Sequence, residues 1–234
     1  MLAPHRATLF KLRELDYTKP ETKVNVIILA MKLQAVKKHF QINDPVIFSV
    51  LESMELKLLT PLKADRNIYF RKLCGEIISQ QLAGKAAESI FNRFVKLMPS
   101  PNFATKHVLA VKDQVLRDAG LSWAKVKYVK DLADKVTRRQ VKLNQLHTLA
   151  DEAVIAKLVK VKGIGSWTAE MFLIFTLGRE NIFSHGDLGL KNALIKLYRL
   201  SRPPTVVRVN KIVNRWHPYK SYGSLALWYS LDNR

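Results

Sequence analysis

Along nearly the whole chain, apolar residues recur at helical rather than strand spacing. Phe70, Leu73, Cys74, Ile77, Ile78 and Gln81 fall near the i, i+3, i+4, i+7 positions of one buried helix face, and Ala86, Ile90, Phe91, Phe94 and Leu97 extend the pattern until Pro99 and Pro101 stop it. Further helices are predicted over residues 24–40, 45–57, 106–118, 122–139, 149–160, 168–177, 188–200, 205–216 and 221–231, separated by Gly, Pro, Asn or Ser. No segment alternates apolar and polar positions between hairpin turns, so the fold class is all-α. Residues 1–23 hold Pro4, Pro20 and mixed charge without a clear period, and read as an N-terminal extension or poorly ordered arm ahead of a helical domain over 24–234. The helical series is thinnest around Pro61–Arg66, between two possible lobes, and composition marks no firm boundary there.

Charge then narrows the function. The chain has 234 residues, with 39 Lys and Arg against 19 Asp and Glu, a formal net charge of +20. With 48% apolar residues it can bury a sizeable core, so it is not a disordered basic tail. A folded protein so basic most often meets a polyanion, because Lys and Arg that neutralise phosphates release condensed counterions; a surface that merely aids solubility is the plainer alternative. Cys74 is the single cysteine, which excludes an intramolecular disulfide or a four-cysteine iron–sulfur cluster and suits a reducing compartment. No stretch of about 18 uncharged apolar residues reads as a membrane span. The basic start, MLAPHRATLFKLRELD, lacks a secretory signal core, although its amphipathic character leaves an organelle address open.

Three groups of residues could carry chemistry. In Leu158–Glu170 one helix ends, Gly163 and Gly165 permit a tight turn, and another helix begins. The unpartnered N–H groups of that second helix lie at the positive end of its dipole and can bind a phosphate oxygen, with Lys160 and Lys162 adding charge beside them. An ordinary helical hairpin whose glycines only make the bend reads equally well. A dinucleotide site reads poorly, since Ser166, Trp167 and Thr168 follow Gly163-Ile164-Gly165, leaving no third glycine, and no strand precedes.

The second group is the loop Asn181–Leu190, which places Asp187 at a helix N-cap, where accepted N–H groups favour the carboxylate form. A simple cap is the commoner reading. However, no acidic residue lies between Leu188 and Leu231, whereas Lys191, Lys196, Arg199, Arg202, Arg208, Lys211, Arg215 and Lys220 are basic. An isolated acid at the edge of a polyanion-binding face opposes binding unless it has chemical work. His185, two residues away, more often plays a structural part, and without further Cys or His nearby a metal site is improbable. The third group is aromatic: Trp167, Trp228, Tyr219, Tyr222 and Tyr229 could stack on a base, though such rings more often fill a core.

These residues form an ordered series: Gly163-Ile164-Gly165 followed by Trp167-Thr168-Ala169, then Asp187-Leu188-Gly189-Leu190, then Trp216-His217-Pro218-Tyr219-Lys220-Ser221. The series resembles the helix-hairpin-helix DNA glycosylases. Ile77-Ile78-Ser79-Gln80-Gln81-Leu82 and Leu116-Arg117-Asp118-Ala119-Gly120-Leu121-Ser122 resemble the 3-methyladenine DNA glycosylase II (AlkA-like) branch in the same order, and the likeness covers roughly residues 35–231.

The resemblance implies two helical lobes with the active-site cleft between them. Asp187 takes the position of the catalytic aspartate that stabilises the sugar cation as the N-glycosidic bond breaks. Trp167 and Trp228, with Met171, take positions lining the pocket for the flipped-out base, where electron-rich rings favour a cationic alkylpurine. Lys162, Gly163, Gly165 and Ser166 match the hairpin that holds the DNA backbone, and Gln81, Leu82 and Ala83 the segment that wedges into the minor groove, for which Ala83 is small. Trp167 stands where strand-cleaving relatives carry a Schiff-base lysine, so the implied enzyme is monofunctional, releasing 3-methyladenine or 7-methylguanine and leaving an abasic site.

No cofactor is required by the resemblance beyond a structural monovalent cation, Na+ or K+, on hairpin carbonyls such as that of Val161. Double-stranded DNA with alkylated bases is the implied partner, of a monomer that meets no membrane and works in a prokaryotic cytoplasm at the nucleoid, or in a nucleus. Departures from the family pattern bear on substrate range: Lys162 replaces a usual proline, Met171 an aromatic residue of some relatives, and Ser184-His185-Gly186 a proline-bearing approach to the aspartate, while a β-rich N-terminal domain of longer relatives has no counterpart. The alternatives are a non-catalytic helix-hairpin-helix DNA-binding module, in which Asp187 only caps its helix, and a strand-cleaving lyase.

Overall fold

Short polar side chains start many of the helices. Asp44 caps α2 (Pro45–Ser53) by accepting from Ile47 N at 3.3 Å, with proline at the first helical position. Asp65 caps α3 (Arg66–Ser79) through Asn67 N and Ile68 N at 2.8 and 2.9 Å. Ser122 caps α7 (Trp123–Thr137), Asp187 caps α10 (Leu188–Leu197) and Thr205 caps α11 (Val206–Val213). The other helices are α1 (Pro20–Asn43), α4 (Gly84–Lys96), α5 (Thr105–Ala110), α6 (Asp113–Asp118), α8 (Asp151–Leu158), α9 (Ser166–Phe175) and α12 (Lys220–Asp232), with 3-10 turns at Leu143–Thr148 and Asn214–Trp216. The computed structural model describes residues 20–200 and 203–232, and all regular structure among them is helical. Most of the predicted N-terminal extension, residues 1–19, lies outside the described residues.

The chain folds as two compact units. One comprises Thr60–Gly178 and carries α3 to α9; the other joins the described residues up to Leu59 with those from Arg179 onward and carries α1, α2 and α10 to α12. In the first unit α3 is central, packing against α4, α7, α9 and the 143–148 turn. Its predicted face is buried at Phe70, Leu73, Cys74, Ile77 and Ile78, joined by Tyr69. Phe70, Phe94 and Phe103 meet edge to face at 5.6–5.9 Å between centroids. Burial pushes the Cys74 thiol well above its ordinary range, which makes it an inert core residue. In the second unit α12 packs on α10 and α2 around the fully buried Trp216.

Several predicted elements are corrected. Gln81 is exposed in a turn with φ +59° and does not continue the buried face, because α3 stops at Ser79. On α4 the buried residues are Ala87 and Phe94, with Ala86 exposed. The helix expected over 106–118 is two, α5 and α6, separated by Val111 in extended conformation. Lys130 reaches from α7 to the carbonyls of Leu109 and Val111 at 2.9 and 2.5 Å, which satisfies acceptors freed at the break, and pairs with Asp113 at 3.4 Å. The first helix begins at Pro20 and the second ends at Ser53, short of 57. The helix expected from 168 begins at Ser166, so Trp167 sits in its first turn.

Candidate active site

The first unit holds the hairpin. Helix α8 ends at Leu158, Val161 O accepts Ile164 N at 3.1 Å, and α9 starts at Ser166. Gly163 has φ +82°, and a Cβ there would lie 2.2 Å from the Tyr128 ring, so both conformation and space demand glycine. Gly165 is the N-cap of α9, offers no side-chain acceptor to the helix, and its missing Cβ would meet nothing within 4 Å. The first N–H groups of α9 are therefore open to approach on that side, flanked by exposed Lys162 and Ser166.

Three polar contacts fix the turn. Asp131 accepts Lys162 N at 2.9 Å and Lys135 Nζ at 2.6 Å. Burial pushes the Asp131 carboxyl upward, but the bonds from Lys135 and Lys162 outweigh it and hold the group below its ordinary range. Gln80 Nε2 donates to Gly163 O at 2.8 Å and to Thr168 Oγ1 at 3.2 Å. Lys125 Nζ donates to Ile78 O and Gln80 O at 2.8 and 2.7 Å, closing the end of α3, and the burial this entails lowers its pKa. The turn that follows presents Gln81 and Ala83 exposed and Leu82 half-buried. A chain of side chains, Lys125 to Gln80 to Gly163, thus ties the 81–83 turn to the glycine hairpin.

Gln80, Lys125, Tyr128 and Asp131 were not singled out as site residues from sequence, yet Lys125, Tyr128, Asp131 and Lys135 form a polar stripe at helical spacing along α7. That stripe is the signal for the three residues of α7, whereas Gln80, at the C-cap of α3, lies outside it. Trp167, half-buried, and Met171, 2% exposed, lie one turn apart on α9 in the same unit.

The second unit holds Asp187. Its Oδ1 accepts Leu190 N at 2.9 Å as the cap of α10 and Trp228 Nε1 at 3.3 Å from α12, and the residue is 5% exposed. Asp187 and Trp228 are therefore brought together as a fixed carboxylate against an indole, while Trp167, Met171, Val161 and the residues of the hairpin and the 81–83 turn are grouped in the other unit. Gly189 is also constrained, since a Cβ there would lie 3.0 Å from Asp187 Oδ1. A buried carboxylate with oriented donors on one oxygen can stabilise developing positive charge without moving.

Residues 74–218, more than half of the chain, match the family model described as the HhH-GPD superfamily base excision DNA repair protein. The chain belongs to this superfamily. It is 34% identical over 74% of its length to YfjP of Bacillus subtilis, provisionally named a DNA-3-methyladenine glycosylase, and spans 62% of that protein. The crystal structure of the DNA-3-methyladenine glycosidase of Bacillus halodurans is similar over 95% of this chain and 94% of that one, with 30% identity and a TM-score of 0.70. The Schizosaccharomyces pombe 3-methyladenine DNA glycosylase Mag1, solved in complex with abasic DNA, is similar over 85% and 97% respectively, with 26% identity and a TM-score of 0.71. Within the HhH-GPD match lie the hairpin, Asp187 and the 77–83 segment; Trp228 lies beyond its end.

Proposed function

We propose that this protein is a monofunctional DNA glycosylase of base-excision repair that hydrolyses the N-glycosidic bond of alkylated purines in duplex DNA. The observation that carries the reading is Asp187, a buried carboxylate locked by Leu190 N and Trp228 Nε1 in a chain of the HhH-GPD superfamily. A purine methylated at N3 or N7 is cationic and already a good leaving group. As its bond to C1′ breaks, the sugar takes on positive charge, which the Asp187 carboxylate stabilises while directing water to C1′. The products are the free base and an abasic site.

Trp228, beside Asp187 in one unit, and Trp167 and Met171 on α9 of the other are the side chains that meet the flipped base, and indole faces prefer a cationic purine. Lys162, Gly163, Gly165 and Ser166 hold the DNA backbone through the open N–H groups of α9, and Gln81, Leu82 and Ala83 fill the gap in the duplex. The carbonyl donors of the hairpin suit a hard monovalent cation such as Na+ or K+: Val161 O accepts one N–H, from Ile164, and a carbonyl has a second lone pair to offer. With tryptophan at 167 the chain has no amine for imine formation at that position, so the strand is left uncut. The protein acts as a monomer where the DNA is, at a nucleoid or in a nucleus. No helix among the described residues is long and apolar enough to cross a membrane.

The test is release of free base from methylated duplex DNA by wild type and Asp187→Asn. Asparagine keeps the oxygen that accepts from Leu190 and Trp228, so the fold survives, and release falls by about 100-fold or more, the scale of losing a fixed group that stabilises transition-state charge. Failure of the wild type to release base from DNA that it binds would sink the alkylpurine reading.

A further inference from the structure

The second unit has a recess beside Asp187 whose basic side chains have no part in the chemistry above. It opens between the 183–187 loop and the first turns of α10 and α11, with Val206, Val209 and Leu194 among its apolar lining and His185 and Lys191 contributing the polar lining next to Asp187. A third basic group stands close by: both Lys220, at the start of α12, and Lys191 act electrostatically on the His185 ring. Lys220 is held by Asn214 Oδ1 at 2.9 Å, and the His185 ring is braced edge to face by Phe183 at 5.0 Å. His185 is exposed and Asp187 is buried, and both line the recess.

We propose that His185, with Lys191 and Lys220, grips a phosphodiester of the DNA beside Asp187, and that this grip tightens as the imidazole takes up a proton. The inference rests on the glycosylase reading. Whatever base is released, Asp187 must reach C1′ of the target sugar, and both phosphodiesters of that nucleotide hang from the same sugar. A backbone phosphate therefore passes close to any group bordering Asp187. Three basic side chains from three separate elements meet it there, and the intervening sequence to Leu231 supplies no acid to neutralise them. The charged groups that act on His185 are Lys220 from α12 and Lys191 from α10, while Asp187 lines the same recess and α11 turns Val206 and Val209 toward it.

Burial, then repulsion by Lys220 and Lys191, lowers the pKa of His185 from the ordinary histidine value, so the free protein carries it neutral at pH 7. A phosphate anion placed among the three reverses that repulsion and raises the pKa. Binding then takes up a proton, and affinity rises as pH falls through the bound-state value.

The experiment measures the affinity of the full chain for a duplex carrying a tetrahydrofuran abasic analogue, by fluorescence anisotropy from pH 8 to pH 5.5 at constant ionic strength. For wild type the Kd falls about three- to tenfold over this range, the effect of a shift of roughly half to one pKa unit, and for His185→Gln it stays flat. In Lys191→Gln the midpoint of the pH dependence moves upward, because one source of repulsion is gone. A wild-type slope that survives in His185→Gln overturns the proposal, as does a midpoint that Lys191→Gln leaves in place. Circular dichroism confirms that each variant is folded, and His185→Asn serves should the glutamine fail. Base release from methylated duplex, measured in parallel, separates the two readings. Release without a His185-dependent slope overturns this inference alone, whereas absence of release overturns the glycosylase reading whatever the slope.

Discussion

The two hairpin glycines have different physical reasons to be glycine. At Gly163 a methyl group would lie 2.2 Å from the Tyr128 ring, at a backbone angle, φ +82°, that other residues rarely adopt. Gly163→Ala therefore strains the turn itself, costing about 1–3 kcal/mol and lowering the melting temperature along with DNA affinity. At Gly165 a methyl group meets nothing within 4 Å and the backbone, φ −92°, is ordinary. Gly165→Ala should leave the melting temperature nearly unchanged yet weaken DNA binding, since the new methyl stands where the backbone must approach the N–H groups of α9. Thermal melts and binding curves on the two variants check this separation. Asp131 adds a signed pH effect. Its carboxyl titrates below the ordinary range in the folded protein, so its stabilising contribution is complete above the unfolded value of about 3.9 and is lost as pH falls through the lower folded value. The wild-type melting temperature should fall with acid through that window more steeply than that of Asp131→Asn, which lacks the titrating group.

Helix α10 is secured at both ends, and the two ends differ in how far sequence revealed them. At its start Asp187 is a cap, legible because capping chemistry is local, but the bond to Trp228 spans 41 residues and only the fold produces it. At its end Tyr198 donates to Asp44 Oδ2 at 2.6 Å, the same oxygen that takes Trp216 Nε1 at 2.7 Å and Arg215 at 3.0 Å. Burial, then the bond and charge of Asp44, push the Tyr198 phenol far above its ordinary range, which keeps it a hydrogen-bond donor at every physiological pH. Asp44 followed by Pro45 is a local cap signature, but no motif marks what its other oxygen holds, because those partners come from elements far apart in the chain. For the same reason the break between α5 and α6 was illegible, whereas the buried face of α3 was read almost whole from its own period. Asp44→Ala leaves the donors of buried Trp216 and half-buried Tyr198 unpaired and should cost about 3 kcal/mol or more in urea denaturation. In contrast, Asp44→Asn keeps one acceptor oxygen and should cost less.

At the scale of the molecule, a net charge of +20 predicts salt-sensitive DNA binding without saying where the DNA lies. Placement separates a working surface from a merely basic one. If about five phosphates are neutralised, log affinity falls with log salt at a slope near −4.5, a loss of roughly 500-fold between 50 and 200 mM. Lys162 flanks the open start of α9, and its backbone N–H, which binds Asp131, survives truncation of its side chain. Lys162→Ala should therefore keep the turn intact while making the slope shallower by about one. Lys96 ends α4, about 18 Å along that helix from its start beside the 81–83 turn, by the rise of 1.5 Å per residue. Lys96→Ala removes the same charge and should leave the slope unchanged. Equal effects from the two lysines would mean that DNA is held by the diffuse field of the molecule, and the hairpin would then have no special part in positioning it. A unit change for Lys162 alone places a phosphate at the start of α9.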